Sequence, residues 1–228
     1  MKNTFENSFI IHSRDYTETS IIFEVLTENR GLITLLGKGI KKKKDFSTLQ
    51  PFKELKLTFS KKSNFPILAK YEISQDFKIP KSNYLLFGIY INELIHKFVP
   101  QYEPCQTIYN LYKKQFLNTL ANTENINITI LNFEILFLKE IGYEISIADS
   151  HIENIENNLN YYYDYEIGFK EVKNKLDLSG SINGKNLKFL MENNLESLTD
   201  ISKARLIIKN IFQRLLGEKK IKSYELFD

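Results

Sequence analysis

The sequence predicts an α+β protein: an N-terminal OB-type β-barrel over residues 1–80, followed by a mainly α-helical domain over 81–228 with an irregular segment around 149–184. Three observations carry this. Short runs rich in β-branched and aromatic residues succeed one another up to Ile73 with no helical pattern between them. A break falls at Ile79-Pro80-Lys81-Ser82, and beyond it apolar residues recur at spacings of three and four. The 228 residues, 43% hydrophobic and 26% charged, are enough for one large or two small domains with a real core.

The expected strands are 8–13, 19–27, 32–37, 55–60 and 67–73, with Asn29-Arg30-Gly31 as a turn between the second and third. The fourth alternates, Leu55, Leu57 and Phe59 on one side and Lys56, Thr58 and Ser60 on the other. Five short strands at this spacing suit a small five-stranded barrel.

In the rear domain, Ser82 or Asn83 caps a helix whose stripe is Phe87, Ile91, Leu94 and Phe98, ended by Pro100. Pro104 opens a second helix, with Ile108, Leu111, Tyr112, Phe116 and Leu120 inward. A third runs from about Thr129 to Glu140, with Ile130, Phe133, Phe137 and Ile141 inward and Gly142 as its stop. Tyr161-Tyr162-Tyr163 and Tyr165 suggest a short strand, and Gly168, Gly180 and Gly184 turns. A helix starts near Lys185; the last is capped by Thr199 or Asp200, buries Ala204, Ile208, Ile211 and Leu215, and stops at Gly217.

The net charge of +3 conceals an asymmetry. Residues 1–80 hold 14 Lys+Arg against 9 Asp+Glu, and residues 81–228 hold 17 against 19. The excess concentrates in Gly37-Lys38-Gly39-Ile40-Lys41-Lys42-Lys43-Lys44, between the third and fourth strands. On a small barrel, loops and the adjoining sheet face form a groove for single-stranded nucleic acid, so Lys38, Lys41, Lys42, Lys43 and Lys44 are the candidate DNA contacts. Arg14, Lys61 and Lys62 extend the patch, and Phe46, Phe52 and Phe65 are placed either to stack on bases or to pack in the core. The alternative for the lysine run is a solvated loop or a targeting patch. Lysine outnumbers arginine, which favours backbone binding over base reading.

Catalytic and cofactor signatures are missing. His12, His96 and His151 share no motif spacing, and there is no nucleophile elbow, HExxH or dinucleotide fingerprint. Gly37-Lys38-Gly39 lacks the spacing of a P-loop. The single Cys105 forms neither an internal disulfide nor a thiolate zinc site. Glu93 and Glu134, inside apolar helices, read as capped or paired carboxylates rather than catalytic acids. No stretch is apolar enough for a membrane span, and the start lacks a secretory core, so the expectation is a cytoplasmic binding protein with no cofactor, no metal, no membrane partner and no enzymatic activity.

Several blocks resemble the RecO family of bacterial recombination and repair mediators: Phe9 to Ser20; Gly37-Lys38-Gly39 with Leu49-Gln50-Pro51-Phe52; Gly88-Ile89-Tyr90-Ile91-Asn92-Glu93-Leu94; Phe133-Glu134 with Ile141-Gly142-Tyr143; and Leu216-Gly217 with Ile221 to Phe227. They stand in the family's order over nearly the whole chain. The resemblance implies binding of single- and double-stranded DNA, annealing of complementary strands, and work with RecR in loading RecA onto DNA coated by single-stranded DNA-binding protein. It also implies capture of that protein's acidic C-terminal tail on the helical domain. Arg205 and Lys209, on one face of the last helix with Gln213, are the candidate cations for that tail.

The chain departs from the family at three places. The segment after Tyr143 has no cysteine where many relatives carry a cysteine-based zinc site, Asn132-Phe133-Glu134 stands where relatives often have Arg-Phe-Glu, and Tyr224 replaces a commonly basic residue. The reading from another class is an interaction scaffold whose OB domain binds protein and not DNA.

Overall fold

The computed structural model describes residues 5–60, 66–77, 82–117, 125–147, 152–164, 166–173 and 180–226. Expected residues Lys61, Lys62, Phe65, Leu120, His151 and Tyr165 lie outside these ranges.

Strands β1 (Glu6–Asp15), β2 (Ile21–Thr27), β3 (Gly31–Gly37), β4 (Lys53–Phe59) and β5 (Leu68–Asp76) form one antiparallel sheet in the order β3-β2-β1-β4-β5. One face buries Ile10, Phe23, Val25, Leu35, Leu55 and Leu57 in a shared cluster. The sheet is not closed into the expected barrel: between β3 and the start of β5 stands an isolated parallel bridge, Leu36 with Ile67 just ahead of β5, where the Leu36 amide donates to the Pro66 carbonyl at 2.9 Å. Strand β5 itself pairs with β4.

Helix α1 (Ser82–Phe98) lies against β1. Phe87, Ile91 and Leu94 are buried as the stripe requires. Asn92 fixes the docking: its amide donates to the Ile11 carbonyl at 3.2 Å, and its oxygen accepts from the Tyr112 hydroxyl at 2.7 Å. Helix α2 (Gln106–Asn110) continues as a π-helical turn over Leu111–Leu117. Tyr109 and Lys113 from this segment both bind the Glu54 carboxylate of β4, which is only 3% exposed. These contacts make residues 1–123 and 222–228 one packing unit and 124–221 another.

In the second unit, α3 (Ile126–Glu140) is capped by Asn125, buries Ile130, Phe133 and Phe137, and ends at Gly142. There the Gly142 and Tyr143 amides return to the Lys139 and Leu138 carbonyls at 3.0 and 2.8 Å, a Schellman stop. Strands β6 (Asn160–Asp164), β7 (Gly168–Glu171) and β8 (Ile182–Asn183) form a small sheet in the order β7-β6-β8. Tyr161 and Tyr163 face inward and Tyr162 outward. Helix α4 is Gly184–Met191 and α5 is Ile201–Leu216, capped by Asp200. On α5, Ala204, Ile207, Ile208, Ile211 and Phe212 are buried, whereas Leu215, expected inward, is exposed in the last turn. Among the described residues no helix is long and apolar enough to cross a membrane.

Candidate nucleic-acid interface

The lysine loop is an anchored structure. Ile40 is buried in the sheet's core cluster, and Phe46 packs against the same cluster from the other end. Gly39 turns the chain at φ 63°, in the left-handed region open to glycine, and its amide donates to the Ser20 hydroxyl at 3.0 Å. The Lys41 amide donates to the Thr19 carbonyl at 3.1 Å. The turn joining β1 to β2 is therefore bonded to the lysine loop, and the two form one surface.

That surface carries six cations, Arg14, Lys38, Lys41, Lys42, Lys43 and Lys44, against three acids, Asp15, Glu18 and Asp45. Lys41 is half-buried and paired with Asp15 at 2.7 Å. Lys43 lies over the Tyr71 ring at 5.2 Å, and the Tyr71 hydroxyl donates to Asp45 at 2.7 Å. Burial, and then that bond to Asp45, pushes the Tyr71 phenol up to about 12. Lys38, Lys42, Lys43 and Lys44 are exposed and make no ion pair among the described residues. The patch is thus partly tempered by acids but keeps a cationic excess facing solvent, which suits a polyanion.

Of the two readings of Phe46 and Phe52, stacking on bases or packing in the core, the structure shows the second. Phe52 is buried, with its ring against Gly88 of α1, and Phe46 is half-buried under the loop. The aromatic that does face solvent beside the cations is Tyr16, 60% exposed in the β1–β2 turn. Sequence reasoning passed over it; the signal available was an aromatic at a turn tip next to Arg14.

In the second unit, the expected Arg205–Lys209–Gln213 strip is occupied internally. Arg205 pairs with Glu134 at 3.6 Å and reaches Asn127. Gln213 donates to the Gly217 and Lys219 carbonyls at 2.9 and 3.1 Å, closing the end of α5. Lys209 is half-buried. A pocket of about 260 Å³ in this unit is lined by Tyr143, Ile145, Phe169, Ile211 and Arg214, and by neither Arg205 nor Lys209. Glu134 is a paired structural carboxylate.

In the first unit, a cleft of about 660 Å³ runs along α1, lined by His12, Phe52, Asn92, Glu93, His96 and Lys222 among others. Burial and the neighbouring His96 hold the His12 imidazole below its usual value despite Glu24. Cys105, at the start of α2, is a neutral thiol: burial pushes it up to about 11.

The comparisons with known proteins follow the same outline. Residues 1–77 match the family described as Recombination protein O N terminal, and residues 82–225 match Recombination protein O C terminal. The family division thus falls where β5 gives way to α1, ahead of the division by packing. The chain is 30% identical over 234 residues to a DNA repair protein RecO of Alteromonas mediterranea, covering 100% of this chain and 98% of the relative. It is 30% identical over 236 residues to the protein of that name from Haemophilus influenzae, covering 100% and 97%. With the one from Pseudoalteromonas translucida it shares 26% over 230 residues, covering 100% and 98%. With both halves matched in order on an α+β framework, the chain belongs to the recombination protein O (RecO) family.

Proposed function

We propose that this chain is a DNA-binding recombination mediator that anneals complementary single strands and helps load RecA onto DNA coated by single-stranded DNA-binding protein. The observation that carries the reading is the fused surface of the β1–β2 turn and the anchored loop, where four exposed lysines with no ion pair among the described residues, Arg14 and exposed Tyr16 stand together. Cations that neutralise phosphates on two strands reduce their repulsion and let complementary sequences pair. The duplex is the more stable product, so the reaction needs no nucleotide hydrolysis and no covalent chemistry, and the chain acts without enzymatic activity.

The sheet is of OB type in this reading. Its strand order, and the bridge from Leu36 of β3 to Ile67 just ahead of β5, support that arrangement. The helical region takes the acidic tail of single-stranded DNA-binding protein, with Lys209 supplying charge, and RecR is the partner in RecA loading. The family membership supports these roles, and they imply a cytoplasmic location at the nucleoid.

The test is annealing of complementary oligonucleotides, with and without single-stranded DNA-binding protein, in the absence of nucleotide. Acceleration under both conditions is expected. No acceleration, together with negligible DNA affinity at moderate salt, would favour the interaction scaffold.

A further inference from the structure

His12, Glu24 and His96 stand far apart in sequence but come together in space. Each offers one donor atom, and the three donors lie within 4.8 Å of one another. His96 Nδ1 is 2.6 Å from Glu24 Oε2, and the His12 and His96 rings stack at 4.9 Å between centroids with 23° between planes.

The backbone places each of them. The β1–β2 register shifts between Ile10 and His12, and this bulge sets His12 directly opposite Glu24. His96 lies one helical turn beyond Asn92, the residue that bonds α1 to the Ile11 carbonyl. Three elements, β1, β2 and α1, therefore contribute one ligand each from positions fixed by ladder and helix geometry.

Two imidazoles and a carboxylate form a donor set suited to zinc and its neighbours among the divalent transition metals. Zinc bonds to nitrogen and oxygen of about 2.0–2.1 Å put tetrahedral donors roughly 3.3 Å apart. The present spacing reaches that by side-chain rotation, with the proton between His96 and Glu24 displaced by the metal. Both imidazoles line the open cleft, so an ion arriving from solvent can reach them. The charge of nearby Lys97 is already balanced by Glu93 at 3.5 Å.

We infer that His12, Glu24 and His96 bind one divalent transition-metal ion of the zinc class, with one coordination position left for water. The ion ties β1 and β2 to α1. This site does not depend on the DNA-binding reading.

The experiment uses the untagged full chain, stripped by chelator and titrated with zinc chloride by calorimetry, with thermal melting in parallel. One ion per chain and a raised melting temperature are expected. Cobalt(II) should give the intense visible absorption of a tetrahedral complex. His12→Ala, Glu24→Gln and His96→Ala should each weaken binding by more than about tenfold. Cys105→Ser should leave it unchanged. Should His96→Ala fail to fold, His12→Ala and Glu24→Gln, which leave the helix sequence intact, carry the comparison. Absence of binding heat, undiminished affinity in those variants, or loss of binding in Cys105→Ser alone would overturn the assignment.

Discussion

Glu93, in the middle of α1, accepts a hydrogen bond from the backbone amide of Ser223 at 2.8 Å, and its other oxygen accepts from the Lys222 amide at 2.9 Å. A carboxylate from a distant helix thus caps the 3₁₀ turn at Lys222–Leu226, satisfying amides that a helix start leaves open. The block from Gly88 to Leu94 is therefore a structural hub: Gly88 admits Phe52, Asn92 holds β1, and Glu93 holds the turn at 222–226.

The cap has a definite pH signature. Burial pushes the Glu93 carboxyl up, but hydrogen bonds from Ser223 and Lys222 and the Lys97 ammonium outweigh it and hold the group below its ordinary 4.5. A depressed folded-state value contributes stability that is fully present above 4.5 and is lost as pH falls through the folded value. Glu93→Gln should lower stability by about 1–2 kcal/mol at neutral pH. Urea melts from pH 7 downwards should show that deficit shrinking below the unfolded value; a deficit constant with pH would contradict the charged cap.

Gly88 is required by packing. A Cβ there would lie 2.6 and 2.7 Å from ring carbons of Phe52, whose own backbone sits at φ 63° and whose carbonyl accepts from the Phe77 amide. Gly88→Val should cost about 1–3 kcal/mol as overpacking. In a double-mutant cycle, Phe52→Ala should recover part of that cost, whereas strictly additive losses would show that the two do not meet.

Tyr16 and the lysines should separate by their salt behaviour. Stacking on a base is worth about 1–3 kcal/mol and releases no counterions. Tyr16→Ala should weaken single-strand binding by that amount in a fluorescence anisotropy titration with an unchanged salt slope. Unaltered affinity would remove Tyr16 from the interface.

Arg205 and Lys209 should respond differently to substitution. Glu134 is only 2% exposed, so Arg205→Ala leaves a buried carboxylate without its paired cation and should lower stability by about 3 kcal/mol in a denaturant melt. Lys209→Ala should change stability much less, by under about 1 kcal/mol. It should still weaken binding of a peptide with the acidic tail of single-stranded DNA-binding protein, as read by anisotropy.

The strands, most of the helical stripes and the helix ends at Asp200 and Gly142 were legible because each rests on local periodicity or on one residue at a terminus, whereas the caps Asn125 and Asn183 were missed. What escaped was created by packing. The alternation of β4 separates Lys56, Thr58 and Ser60 from the apolar side but does not tell that Thr58 and Glu54 are buried; for Glu54 the reason is that Tyr109 and Lys113 bind it. The same docking of helices on the sheet explains why the packing unit extends to residue 123 although the sequence pattern changes near 80. At the interface, the lysine run was plain in the sequence. Its anchoring by Ile40, the Lys41–Asp15 pair and the exposure of Tyr16 depend on which loops touch. His12, Glu24 and His96 had no spacing to betray them, because a bulge and a helix docking angle bring them together.

The most direct measurement is the salt dependence of oligonucleotide binding for the wild-type chain beside Lys41→Ala and the combined Lys42→Ala, Lys43→Ala, Lys44→Ala variant. Each lost phosphate contact should reduce the log–log slope by about 0.7 on single strands. The triple variant should lose roughly two units of slope, and Lys41→Ala, already paired with Asp15, a much smaller amount. A triple variant that keeps both the affinity and the slope of the wild type would contradict the claim that this loop holds the nucleic acid.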